Sequence, residues 1–210
     1  MAHHRRGPSA PPTRWEQTVT GKRWDFYVEK FDRHVADGDD LDGEARFIDA
    51  LAPRGAQILD GGAGTGRVAA ALTRMGHRCL GVDRDAGLLD RARTGYPGVS
   101  YLTSDLLNLD PDVLADEGFG GAFDIVALPG NVLVYVAPGT ERAILEQVHR
   151  LLVPDGRLVV GFATDREYAV PDFDADLAAI GFTLEHRFAT WQLDRWTPDD
   201  DWHVSVARRP

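Results

Sequence analysis

Three carboxylates and three glycines carry the chemistry of this sequence. Asp60, Asp83 and Asp105 each end a short apolar run, and Gly62, Gly64 and Gly66 alternate just after the first of them. Glycines so placed let the backbone turn sharply and approach a ligand where a Cβ would clash. The acid ending Arg78-Cys79-Leu80-Gly81-Val82-Asp83 suits bidentate hydrogen bonding to ribose hydroxyls, the role such an acid plays in doubly wound nucleotide folds. The spacing argues against NAD or FAD, because G-x-G-x-x-G would need its third glycine where Arg67 stands. The lone cysteine, Cys79, falls within an apolar run and reads as a small core residue rather than a nucleophile.

Such residues need strand ends and helix starts to hold them. Ala56–Asp60 reads as the first buried strand, and the run from Gly66 to Met75 as the helix leaving the glycine loop. Further strands are expected at Arg78–Asp83, Val99–Asp105, Phe123–Leu128 and, after Leu151-Leu152-Val153-Pro154-Asp155-Gly156, at Arg157–Val160. Helices are expected between them at Asp85–Thr94, Asp112–Glu117 and Gly139–Leu152, which is the βαβ alternation of a parallel sheet. Toward the end, a short helix at Asp172–Ile180 precedes strands at Phe182–Trp191 and Trp202–Arg209, with Gly181 and the Pro198–Asp201 turn as breakers. Ahead of the sheet, Trp24–Ala36 reads as an amphipathic helix with Trp24, Tyr27, Val28 and Phe31 on one face. Asp42 can cap a second helix at Gly43–Leu51.

The stretch Ile58-Leu59-Asp60-Gly61-Gly62-Ala63-Gly64-Thr65-Gly66-Arg67 resembles the first motif of the class I S-adenosylmethionine-dependent methyltransferases, an acid followed by G-x-G-x-G. The later motifs follow in order up to Val160; Asp155 stands where that family more commonly has glycine. The resemblance implies an α/β fold: a Rossmann-like seven-stranded sheet of order 3-2-1-4-5-7-6, the last strand antiparallel, with helices on both faces. It implies S-adenosyl-L-methionine as cofactor, with Asp60 helping to hold the methionine moiety and Gly62, Gly64 and Gly66 lying beneath the cofactor. Asp83 would serve the ribose and Asp105 with Leu106 the adenine, and Arg84 is expected among the cofactor-binding residues. The domain division expected is a disordered tail at 1–14, a helical cap at 15–55 and the methyltransferase domain at 56–210.

With 210 residues and 43% hydrophobic residues, the chain can bury one sizeable α/β core. A net charge of −10 argues against a nucleic acid as partner, since such binding draws on clustered Lys and Arg. The fourth strand is followed by Leu128-Pro129-Gly130-Asn131, not by the N-P-P-Y or D-P-P-Y of amino-methylating nucleic-acid enzymes. That strand end also lacks the acid with which catechol-type relatives bind Mg²⁺. Asp199-Asp200-Asp201 reads as a solvated turn and His3-His4 as part of the tail, so no metal is expected. No apolar run approaches the length of a membrane span, and the first residues lack a secretory apolar region, so the chain reads as cytoplasmic with no membrane partner.

Methyl transfer from a sulfonium asks mainly for in-line positioning and desolvation, so no nucleophile is required of the protein. Acceptor-side groups are sought in three segments: Trp24, Tyr27 and His34; Asn131 and Tyr135; Arg166 and Tyr168. Asn131, Tyr27 and His34 are the leading candidates. The partner expected is a small molecule with an aromatic or apolar portion. Two alternatives on the same fold are a cofactor-binding protein without turnover and an aminopropyl transferase, although no acidic polyamine pocket is legible. The segment before Ala56 is expected to act as a lid hinged at Asp37-Gly38-Asp39-Asp40.

Overall fold

The structure is a computed structural model that describes residues 11–38 and 40–210, with the side chains of residues 30–32 and 34–36 outside that description. His34 and Phe31 therefore lie outside the described side chains, as do residues 1–10 of the expected tail and Asp39 of the expected hinge.

Strands β1 (Gln57–Gly61), β2 (Arg78–Asp83), β3 (Ser100–Thr103), β4 (Phe123–Leu128), β5 (Leu152–Ala163), β6 (Thr183–Phe188) and β7 (Trp202–Arg208) form one sheet of order β3-β2-β1-β4-β5-β7-β6. β1 to β5 run parallel, and β7 inserts antiparallel between β5 and β6, as the sequence led us to expect. Period-two alternation divides the core into two layers. Ile58, Cys79, Ile125 and Val159 pack to one face, while Leu59, Leu80, Val126 and Leu158 pack to the other.

The helices cover both faces. The first layer is closed by α3 (Gly43–Leu51), α4 (Arg67–Arg74) and α5 (Ala86–Gly95). The second is closed by α6 (Pro111–Asp116), α8 (Glu141–Leu151) and α9 (Val170–Ile180), with the short α7 (Val132–Tyr135) between β4 and α8. α1 (Arg14–Thr18) and α2 (Lys22–Ala36) lie ahead of this framework. Among the described residues no helix is long and apolar enough to cross a membrane.

Local departures from the sequence reading have physical causes. Asp42 stands at the N-cap of α3 but makes no capping bond; its carboxylate is taken by Arg74 of α4 at 3.0 Å. β6 stops at Phe188, short of Trp191, because a side-chain-locked turn follows. There Ala189 N–H donates to Asp194 C=O, and the Thr190 hydroxyl donates to the Asp194 carboxylate. The α1 helix was not foreseen, and Pro11 to Arg14, read as tail, make specific contacts described below. Asp155, at the place of the family's glycine, adopts φ +63°, a left-handed conformation that Asp tolerates better than most side chains.

Candidate functional site

The carboxyl ends of β1 to β4 meet at one edge of the sheet, the usual ligand crevice of open α/β sheets. The turn after β1 folds back on β2: Gly62 N–H and Ala63 N–H donate to Val82 C=O at 2.8 and 3.0 Å, and Gly64 N–H donates to Asp83 Oδ2 at 2.8 Å. The alternating glycines are not equivalent. A Cβ on Gly62 would sit 2.5 Å from Val132, and one on Gly66 would sit 2.3 Å from the Tyr101 hydroxyl, so the protein's own packing excludes side chains there. Gly64, at φ +54°, meets nothing nearer than the Tyr27 hydroxyl at 3.6 Å and opens toward the cavity.

Each acid found in the sequence sits at this edge. Asp60 is 1% exposed; its Oδ2 accepts from Ala69 N–H at 3.0 Å, while Oδ1 is buried without a partner. Burial pushes its carboxyl up to about 7. Asp83 is also raised by burial, against three backbone donors: Asp85 N–H, which reaches Oδ1 at 2.8 Å, Gly64 N–H and Arg84 N–H. Asp105 caps the 3₁₀ turn Leu106–Asn108 through Leu107 N–H and accepts from Arg84 Nη1 at 2.8 Å. Arg84 also donates to Pro11 C=O and pairs with Glu16, so it ties the floor of the site to the segment above it. Leu106 is buried in the core beneath.

That upper segment starts with a capping box in which Thr13 and Glu16 satisfy each other's backbone N–H groups at the head of α1. Arg14 pairs with the buried Glu141 at 2.8 Å and with Glu167 at 2.9 Å. Trp15 contacts Tyr27 and Tyr135 edge to face, at centroid distances of 4.9 and 5.6 Å. Burial, then the charge of Asp83, pushes the Tyr27 hydroxyl up to about 12, so it stays protonated through the physiological range. On the α4 side, Arg67 pairs with Glu44 of α3 and donates to Leu41 C=O.

Between floor and upper segment lies a cavity of about 800 Å³, within the range of small-molecule sites. Asp60, Gly62, Gly64, Asp83, Arg84, Asp105 and Leu106 line it, joined by Tyr27, Asn131 and Tyr135 from the acceptor-side candidates. Gly66 lies behind it, packed on Tyr101 and Ala92. Three other candidates are placed elsewhere. Trp24 bonds Asp85 outside the cavity lining, Arg166 pairs with its neighbour Asp165, and Tyr168 is buried against Phe162 and Phe173 with its hydroxyl donating to Asp176. Asn131 adopts φ +62°, and its Oδ1 accepts from Ala163 N–H at 2.9 Å, fastening the end of β4 to the end of β5. Sequence reading missed Glu44, Asp85 and Trp202 as neighbours of the site. The Thr13-x-x-Glu16 capping signal could have drawn attention to α1. Among the described residues no group of three or more His, Cys, Asp or Glu could hold a metal ion.

The acceptor set suits a zwitterionic nucleoside cofactor. The partnerless Asp60 oxygen and the spare lone pairs of Asp83 call for ligand N–H and O–H donors, and the open face of Gly64 leaves room beside them. A model described as a methyltransferase domain matches residues 58–156. The chain is similar in structure to a TehB-like SAM-dependent methyltransferase from Corynebacterium glutamicum, with TM-score 0.79 and 34% identity, covering 87% of this chain and 96% of that one. It is also similar to the 1,6-didemethyltoxoflavin-N1-methyltransferase of Burkholderia thailandensis, solved with 1,6-didemethyltoxoflavin and S-adenosylhomocysteine, with TM-score 0.62 and 25% identity, covering 96% and 92%. A protein-L-isoaspartate O-methyltransferase of Methylorubrum populi is 35% identical over 117 residues, 55% of this chain and 50% of that protein. The chain spans about half the length of the curated relatives it matches. With the glycine loop, the strand-end acids and the inserted antiparallel β7 all in place, the chain belongs to the class I S-adenosylmethionine-dependent methyltransferases, and its cofactor is S-adenosyl-L-methionine.

Proposed function

We propose that this chain transfers a methyl group to a small-molecule acceptor carrying an aromatic or apolar portion. The observation that carries the reading is the cavity itself, about 800 Å³, lined both by the glycine loop and acids and by the ring cluster of Trp15, Tyr27 and Tyr135. The bound small molecule of the Burkholderia enzyme supports the same class of acceptor.

When bound, S-adenosylmethionine supplies a methyl group on a positively charged sulfur, open to in-line displacement by an acceptor lone pair. In this reading Asp60 Oδ1 takes an N–H of the methionine moiety and Asp83 takes ribose hydroxyls. Gly62, Gly64 and Gly66 shape the cradle, while Asp105, oriented by Arg84, and Leu106 serve the adenine. Tyr27 and Asn131 stand on the acceptor side, with Tyr27 as a neutral hydrogen-bonding group rather than a base. The aromatic wall excludes water from the reacting centre. The chain's single cysteine is buried and unpaired, which suits a reducing compartment, and the proposal places the enzyme in the cytoplasm.

The test is incubation of the purified protein with methyl-labelled S-adenosylmethionine and a panel of small aromatic amines, phenols and heterocycles. Label in a small acceptor, with stoichiometric S-adenosylhomocysteine, is the expected result. Label going instead to bulk RNA or DNA, with small acceptors ignored, would overturn it.

A further inference from the structure

The residue that ties the aromatic wall to the cofactor floor lies two positions after Asp83. One oxygen of Asp85, Oδ1, caps α5 by accepting from Gly87 and Leu88 N–H at 3.0 and 3.1 Å. The other, Oδ2, accepts from two indoles at once: Trp15 Nε1 at 3.1 Å and Trp24 Nε1 at 2.9 Å. These tryptophans belong to different helices, α1 and α2, so a single carboxylate oxygen fixes both. Trp24 also packs against the start of α5, close enough that a Cβ on Gly87 would be 3.3 Å from its ring. Trp15 in turn braces Tyr27 and Tyr135. The backbone of Asp85 meanwhile donates to Asp83 Oδ1, so the carboxylate read as the ribose anchor and the carboxylate holding the indoles share one short stretch of chain.

We propose that Asp85 is a positioning residue that latches the 11–27 segment over the cavity, setting both the placement of the Trp15 wall and the rate at which cofactor product leaves. The inference rests on the reading of this cavity as the cofactor site. Thr13, Trp15, Glu16 and Tyr27 line the cavity together with Gly62 and Gly64 of the glycine loop, so lifting that segment widens the way out for a ligand held there. Arg84, which pairs with Glu16 and donates to Pro11 C=O, is a second hold on the same segment. The indole latch adds charge-assisted bonds to a neutral donor pair, and such bonds are stronger than neutral ones.

Asp85→Asn separates the two duties of the side chain. Asn keeps an oxygen to cap α5, while its amide N–H groups face the indole N–H groups, donor against donor. The expected result is a folded protein whose release of tritiated S-adenosylhomocysteine is about tenfold faster, with association little changed, and whose amides over residues 11–27 exchange faster with solvent. Trp15→Phe should speed release in the same direction, and adding it to Asp85→Asn should contribute less than it does alone. Should Asp85→Asn fail to fold, Trp15→Phe and Trp24→Phe break the same bonds without touching the helix cap. Release and exchange within about twofold of wild type in the folded variants would overturn the latch. An effect of Asp85→Asn that neither tryptophan variant reproduces would overturn it as well. Asp83→Ala distinguishes failure of the underlying reading: if it binds S-adenosylhomocysteine as tightly as wild type, the cavity is misassigned. If it loses affinity while the latch variants behave as wild type, only the latch falls.

Discussion

The floor of the cavity and the segment over it are built by opposite means. The floor is fixed by backbone: parallel register between β1 and β2, left-handed glycines with no room for a Cβ at two of three positions, and a carboxylate buried at 1% exposure. The upper segment is a helix of five residues followed by α2, held by side chains at a few points, Arg14, Arg84 and Asp85. Helices that short have little stability of their own, so this one exists through its cap and its anchors. The difference separates what folding pre-forms from what side-chain anchors must add, and substitutions in the two regions should report on different quantities.

The largest effect expected is on folding, from the floor. Gly66→Val places a side chain against Tyr101 and Ala92 at φ +81° and should cost about 4 kcal/mol or more of stability. Gly64→Ala should fold, with only the strain of its positive φ, and lose cofactor affinity instead. Urea titration of both variants, with calorimetry of S-adenosylhomocysteine binding on the second, checks the pair; equal destabilisation would erase the distinction between the glycines.

Asp83→Ala should weaken S-adenosylhomocysteine binding by about 1.5–3 kcal/mol, the range for hydrogen bonds to a charged group. Because Asp83 also accepts from Gly64 and Asp85 N–H, some of this loss should appear as looser amides in that loop, seen by hydrogen exchange.

Asp60 gives a pH-dependent effect of similar or smaller size. Burial holds its folded pKa at about 7, above the ordinary 3.8, so between these values the native state holds a proton that the unfolded chain has released. Stability contributed by this group therefore falls as pH rises from about 4 to 7 and stays reduced above that. Asp60→Asn should stabilise the cofactor-free protein by about 2 kcal/mol at pH 8 and give no such gain below pH ~4. Chemical denaturation at the two pH values measures it, and a gain that is independent of pH would refute this account of Asp60.

The smallest effect expected is from the upper segment. Arg14→Ala removes the pairs to Glu141 and Glu167 and leaves Glu141 buried without that cation. A loss of about 1 kcal/mol in global stability, with faster amide exchange confined to residues 11–27, is expected. Exchange spreading into β1 and α4 would show that the two regions form one cooperative unit.

How much was legible in the sequence follows the same division. Asp60, Asp83 and Asp105 were readable because each closes or follows an apolar run, although β3 stops at Thr103 and Asp105 caps the turn beyond it, and the glycines because their spacing has a backbone meaning. Asp155, where the family more commonly has glycine, adopts φ +63°, which the sequence reading did not specify. The partners of Asp85 were not readable: Trp15 and Trp24 lie 70 and 61 residues away in sequence, and no local pattern announces a bond between an indole and a distant carboxylate. Tyr168 misled for the reverse reason. An aromatic in a loop after a strand looks available, yet here the chain folds it into the core, with Asp176 satisfying its hydroxyl.

The insertion of β7 between β5 and β6 has a consequence for synthesis. When the ribosome has delivered β6, that strand has no sheet neighbour, since its partner and that of the outer edge of β5 are both the strand still to come. The nascent chain must hold a slot one strand wide, with the hydrogen-bonding edge of β5 open to any other extended segment, until Trp202–Arg208 emerges to fill it. Trp202, the first residue of that strand, also lines the cavity. The site therefore cannot be complete before the sheet is, and a chain arrested in that interval offers a sticky edge rather than a weakened enzyme.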